Sequence, residues 1–275
     1  MGRGLRIVSS IILYIFVNIL IAAIIGVSIG LYGVCSGMPQ SEFRIMIDNN
    51  LISLVLIVHL LSFLMYTLIF LIKKESLIKQ CCFKKLSNTS LVYMTLIAIG
   101  LSFLACSLSS LFQGNAVAYN HILKNISGKC YTIIAVLLLT LIIPLFEEIL
   151  FRALIFIELR RALNFEISAL IQAIIFGVYH GNLIQGIYIF LLGLMLCFVY
   201  EGTGSIWSNV YMNCVFKILG IVIVPIIVNN TSGFQWVYVV LGTALVIFSA
   251  YKLYVIMDIP KRKMLQGFKP EYFDQ

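Results

Sequence analysis

The chain has 275 residues, 61% of them hydrophobic and only 11% charged. Soluble domains carry about 25% charged residues, so the composition excludes an ordinary soluble domain and implies an all-α polytopic membrane protein. The net charge of +8 belongs mainly to loops, where it reports orientation and does not imply nucleic acid.

Apolar windows of about 20 residues mark eight spans, near 7–33, 51–72, 91–112, 131–157, 167–181, 183–200, 206–228 and 235–257. Arg3 and Arg6 precede the first. That run is too long for a signal-peptide core and lacks a small-residue cleavage site, so an uncleaved anchor is expected. Arg6 also stands where a myristoylation signal needs Ser or Thr. His59, in the second span, reads as a hydrogen-bonded core residue. The fourth stretch runs on towards Arg160 and Arg161 and should tilt or protrude. The fifth is short, and its neighbour begins just after Gly181 and Asn182.

Loop charge sets the orientation. Lys73, Lys74, Lys79, Lys84 and Lys85 follow the second span, Arg160 and Arg161 the fourth, and Lys261, Arg262, Lys263 and Lys269 the eighth. The alternate loops hold Arg44 in one, Lys124 and Lys129 in another and none in 229–233. Both termini are therefore expected in the cytoplasm, with the polar tail from Pro260 on that surface. Three spans fall in 1–130, a four-span core in 131–228, and the last span and tail in 229–275. The seven cysteines are scattered without a CxxC pair, which argues against a zinc-thiolate or redox motif. Cys35 and Cys130 could meet outside the cytoplasm but are read as two thiols.

Two adjacent carboxylates, Glu147 and Glu148, lie inside the fourth span. An ionised side chain at that depth costs several kcal/mol, about 2.5–3.5 at the low end, so the pair is a functional-site candidate. Glu148 and Arg152 are four residues apart, acid first, the favoured order for a helical pair. Glu147 points about 100° away and is expected to be free of that pairing. A Glu148–Arg152 pair that only ties helices together stays open. Pro144 cannot donate to the carbonyl of Thr140, so a kink is expected just before the pair.

His180 ends Phe176-Gly177-Val178-Tyr179-His180. Spans four and five meet near Asn164 to Glu166. At about 1.5 Å per residue, Glu147 and His180 lie some 25 and 21 Å from that turn, at nearly one depth. There a Glu and a His can bind and activate one water. Gly177 and Gly181 are read as a small-xxx-small packing face. Glu201-Gly202-Thr203-Gly204-Ser205-Ile206-Trp207 opens the seventh span. Asn213 and Lys217 follow on one helical face. Asn213 also reads as an interhelical hydrogen bond, and Lys217 is too deep to snorkel easily and needs a partner.

Together these residues resemble the CPBP family of intramembrane proteases, the CAAX-processing and bacteriocin-processing (Abi) group. Its EExxxR motif matches Glu147, Glu148 and Arg152. Its FxxxH motif matches Phe176 and His180. Its third region, a Thr-Gly-Ser-hydrophobic-Trp turn followed by HxxxN, matches in Thr203 to Trp207. The family His falls on Asn213 and the family Asn on Lys217. The resemblance covers about 131–220.

The resemblance implies eight helices and endoproteolysis of membrane-embedded or lipidated peptides at a cytoplasmic-side or mid-membrane site. Glu147 would be the base, working with His180 on a water, and Asn213 and Lys217 would supply oxyanion donors. Glu148, Arg152 and Phe176 would support them. Catalytic zinc takes three protein ligands, and too few converge here, so a metal-free glutamate mechanism is expected and no cofactor. The expected partners are a membrane peptide or protein substrate and the lipid bilayer, in a multi-pass cell-membrane protein. A competing reading has Lys217 paired with Glu147. A base locked in an ion pair is a poor base, and the chain would then be a silenced scaffold or bacteriocin-immunity protein acting by binding. A transporter is disfavoured by the lack of a second intramembrane charge cluster and of paired broken helices.

Overall fold

The computed structural model describes residues 3–84, 86–113, 134, 136–231 and 233–257. Every regular element among them is helical. In chain order we label α1 Arg3–Cys35, α2 Gln40–Ile72, α3 Leu77–Cys81, α4 Asn88–Gln113, α5 138–160, α6 Phe165–Tyr179, α7 Leu183–Thr203, α8 206–230 and α9 Gln235–Ile256. Six of them, α1, α2, α4, α7, α8 and α9, are long and apolar enough to cross a membrane. The chain is an all-α polytopic membrane protein. Cys130 and the tail from Pro260, on which two of the expectations fall, lie outside the described residues. The short α3, in the basic loop after α2, has no counterpart in the expected spans.

The apolar windows locate the helices well because a lipid-facing helix must satisfy its own backbone. Their ends differ from the windows where polar residues extend the helix. α1 and α2 each run 33 residues, about 50 Å, well beyond the roughly 30 Å hydrocarbon layer. α5 is the central, most buried helix. All of Ile149–Phe156 is buried, including Arg152.

α5 is built from π and α turns in alternation: π at Leu138–Ile142, α at Ile143–Glu148, π at Ile149–Phe156 and α at Ile157–Arg160. Pro144 sits in the first turn of Ile143–Glu148. Its missing N–H and its ring are accommodated by widening the preceding turn. α8 repeats the device, with a π turn at Leu219–Ile223 directly before Pro225 in the first turn of Val224–Asn230. The two carboxylates thus fall between two widened stretches of one helix.

α6 packs closely on α7 at Gly177, where an added Cβ would meet the Gly186 carbonyl oxygen at 2.7 Å. Gly181 does not share that face, contrary to the small-xxx-small reading. It lies past the end of α6, and a Cβ placed on it would meet nothing within 4 Å. Its left-handed φ of +69° reverses the chain. α4 and α9 cross as closely as α6 and α7, at Gly100 and Gly242.

The Thr203-to-Trp207 turn has a structural basis. Gly204 takes a left-handed φ of +59°. Ser205 Oγ donates to the Lys84 carbonyl at 2.7 Å, and the Ile206 N–H donates to that of Cys82 at 3.2 Å. Phe83 packs on Trp207. The turn therefore docks the α3–α4 connection onto the start of α8. Nearby, Arg160 grips Glu201 with two hydrogen bonds, at 3.1 and 2.7 Å, and joins α5 to the end of α7.

Candidate active site

α5 supplies Glu147, Glu148 and Arg152, and α8 supplies Asn209, Asn213 and Lys217, spaced four apart along one face. Lys217 Nζ donates to both Glu147 oxygens, at 2.7 and 2.8 Å. Asn213 Nδ2 bridges the carboxylates, 3.1 Å from Glu147 Oε2 and 2.7 Å from Glu148 Oε1. Arg152 Nη1 donates to Glu148 Oε1 at 3.3 Å, and its Nε makes an off-axis ion-pair contact with Oε2 at 3.0 Å. Asn209 Nδ2 reaches Glu148 Oε2 at 3.3 Å and the Leu196 carbonyl at 2.8 Å.

Two carboxylates therefore face two cations. The formal charge of the cluster is zero, which is how it stands inside an apolar bundle, since buried charges need partners and satisfied hydrogen bonds. The Glu148–Arg152 pairing matches the sequence expectation. Glu147 is not paired with Arg152, but it is paired with Lys217, as the competing reading had it. Lys217 lies seventy positions away in sequence, and its need for a partner is met by Glu147. The expectation that Asn213 offers a spare donor also changes. Its amide hydrogens are engaged by the two carboxylates, while its Oδ1 is buried without a hydrogen-bond partner.

The FxxxH spacing also has a physical account. The Phe176 ring lies under the Arg152 guanidinium, 4.6 Å from ring centroid to Cζ, a favourable cation–π contact in a desolvated place. One turn later, His180 Nδ1 donates to the Phe176 carbonyl at 2.9 Å. That bond fixes the ring and leaves Nε2 as the acceptor. His180 closes α6 and lies within electrostatic reach of Glu147.

Asn209 was missed by the sequence reading. The signal was present, since Asn209, Asn213 and Lys217 repeat every four residues on an otherwise apolar helix. His59 also lies within electrostatic reach of Glu147 and packs its ring on Phe146 at 6.3 Å.

Among the described residues no group of three His, Cys, Asp or Glu side chains converges in a metal-binding set. The donor chemistry points the same way. Each carboxylate is already held by a cation, and Lys217 and Arg152 would repel a divalent ion.

With this geometry in view, the fold and site define a helical membrane protein with a buried carboxylate centre. A family model described as type II CAAX prenyl endopeptidase Rce1-like matches residues 129–219. A protein of Bacillus subtilis (strain 168), "Putative membrane peptidase YdiL", is 35% identical over 68 residues, 25% of this chain and 28% of the relative. The match thus spans little more than a quarter of that relative's length. No solved structure matches. The family-model match covers the stretch that carries the whole carboxylate cluster, and both findings are similarities to membrane peptidases.

Proposed function

We propose that the chain is an intramembrane endopeptidase that cleaves a membrane-embedded or lipidated peptide with water activated by Glu147 and His180. The observation that carries this reading is the convergence of Glu147, Glu148, Arg152, Asn213 and Lys217 in one buried, charge-neutral cluster, with Phe176 and His180 oriented beside it.

Glu148 is the structural carboxylate, held by Arg152, Asn209 and Asn213. Glu147 is the working one. When a substrate carbonyl enters, Lys217 shifts its ammonium from the Glu147 oxygens to the carbonyl oxygen. Glu147 is then released as a base at the moment a donor reaches the developing oxyanion. Glu147 takes a proton from the water, whose oxygen adds to the carbonyl carbon. The C–N bond then breaks, and the proton passes from Glu147 to the leaving amine. His180 Nε2 accepts a hydrogen bond from the water and orients it. Donors aimed at the oxyanion are worth about 10²–10³ each in turnover.

The bidentate Lys217–Glu147 contact favours a second reading, a silenced protease-like scaffold acting by binding, as in bacteriocin immunity. One experiment separates them. Membrane peptides from cells carrying wild type, Glu147→Gln, His180→Ala and Lys217→Asn are compared by mass spectrometry. The peptidase reading expects cleavage products with wild type and none with Glu147→Gln or His180→Ala at equal protein levels. The silenced reading expects no products with wild type and their gain in Lys217→Asn.

A further inference from the structure

Asn18 stands out on α1. It is an amide in the middle of an apolar, largely exposed helix, yet it is itself only 3% exposed. A polar side chain buried at membrane depth calls for partners or a function. Asn18 finds its partners on two other helices. Its Oδ1 accepts from the Tyr179 hydroxyl of α6 at 3.0 Å, and its Nδ2 donates to Ser62 Oγ of α2 at 3.0 Å. One turn along both helices, the Tyr66 hydroxyl donates to the Tyr14 carbonyl at 3.1 Å. α1 and α2 are thus joined by two polar rungs, and one of them extends to α6. Both helices lie outside the residues 129–219 that the family model matches.

The far end of this strap is the last turn of α6, which carries His180. That turn closes on three-residue bonds: the His180 N–H donates to the Gly177 carbonyl at 3.3 Å and the Gly181 N–H to that of Val178 at 3.0 Å. Tight last turns of this kind belong to helix ends, which fray. Tyr179 is the side chain that ties the turn inward. Its ring packs on Phe151 of α5 at 5.2 Å and stands edge-on to the His180 ring at 5.9 Å, while its hydroxyl reaches Asn18. The bond from His180 Nδ1 to the Phe176 carbonyl fixes the ring against its own helix. It does not fix the end of that helix against the bundle.

We propose that Asn18 is a positioning residue for His180: through the Tyr179 hydroxyl it pins the last turn of α6 to α1 and α2, and so holds the imidazole in place. This rests on the peptidase reading above. Asn18 and Tyr179 exchange no proton with substrate or water. Their part is to keep His180 Nε2 where it orients the water that Glu147 activates. Without the strap the Tyr179 hydroxyl loses its buried acceptor, and the turn is free to shift. Catalysis is sensitive to small displacements of an orienting group, so an amide on α1 contributes to a site built on α5, α6 and α8.

Four variants of the full chain, purified in detergent micelles, are assayed on one peptide that the wild type cleaves: Glu147→Gln, Tyr179→Phe, Asn18→Leu and the last two combined. Tyr179→Phe removes a single oxygen and keeps the ring that packs on Phe151. Each of Tyr179→Phe and Asn18→Leu is expected to lower kcat about 10-fold with KM unchanged. The combined variant should lose no more than Asn18→Leu alone, because both changes remove the same bond. Losses that multiply, or a KM that rises at constant kcat, overturn the positioning role. Full activity in both single variants beside an inactive Glu147→Gln overturns it too. An active Glu147→Gln overturns the peptidase mechanism beneath it. A second measurement needs no cleavage. In ¹⁵N-histidine-labelled protein, with the His180 signals assigned from His180→Ala, Asn18→Leu should move the His180 ring-nitrogen resonances across the intervening Tyr179. Unmoved resonances overturn the strap itself.

Discussion

Glu148 and Arg152 form a fully buried pair, both at 0% side-chain exposure. Removing one member of such a pair leaves an uncompensated charge, a loss of about 3–5 kcal/mol. Glu148→Gln is therefore expected to lower yield and melting temperature markedly. Glu147→Gln should be milder, since Lys217 is partly exposed at 12% and can turn towards water. A thermal-shift comparison of the two in the same detergent checks the order, and the reverse order would assign the structural role to Glu147. Asn213→Ala should lower both stability and cleavage, because it removes the only amide that touches both carboxylates among the described residues. The Glu148–Arg152 pair was legible from sequence because both residues sit on one helix at a spacing that fixes their meeting. The Lys217–Glu147 pair joins two helices. Sequence offered it only as one of two alternatives, since nothing in a single chain fixes the rotation of one helix against another. The chemistry of the donor set adds a prediction about metal. Cleavage should survive prolonged exposure to a strong chelator, and loss of activity restored by zinc would overturn the metal-free proposal.

At the scale of elements, the spans were readable because hydrophobic length is dictated by the bilayer. The π turns of α5 and α8 were not. Pro144 announced a disturbance, but a missing N–H alone does not say that the preceding turn widens into a π turn; packing decides that. The glycines divide in the same way. Gly177 is required for close approach, because an Ala Cβ would lie 2.7 Å from the Gly186 carbonyl oxygen. Gly181 is required for its φ of +69°, where a side chain costs about 1–2 kcal/mol. Both substitutions to Ala should lower stability, by different routes. Gly177→Ala forces α6 from α7, a loss of about 1–3 kcal/mol, and adding Gly186→Ala should compound it strongly. Gly181→Asn should recover much of what Gly181→Ala loses, since Asn tolerates the left-handed region. Melting temperatures of the four variants test the distinction. A Gly181→Asn chain no more stable than Gly181→Ala would overturn the conformational account of that position.

For the whole molecule, the helix lengths and the loop charges bear jointly on where the site opens. By the excess of basic residues, the turn between α5 and α6 that carries Arg160 and Arg161 is expected on the cytoplasmic side. From that turn α6 runs only 15 residues, about 22 Å, short of the roughly 30 Å hydrocarbon layer. His180 caps its far end, and the reversal at Gly181 and Asn182 is expected to lie still at membrane depth. Non-helical backbone is tolerated there only where protein or water covers it. A helix this short is expected to leave a recess beside His180 on the non-cytoplasmic side, and water is expected to reach the carboxylate cluster from there. Single cysteines at Ser76 in the α2–α3 turn, at Asn164 before α6 and at Asn182 after it, in a chain with its native cysteines replaced by serine, make this measurable. A membrane-impermeant thiol reagent applied to intact cells should label the cysteine at Asn182. It should label those at Ser76 and Asn164 only after the membrane is opened. Labelling of Ser76 and Asn164 in intact cells would invert the orientation. Failure to label Asn182 from either side would place the recess under protein rather than water, and Glu147 would have to draw its water from the cytoplasmic side.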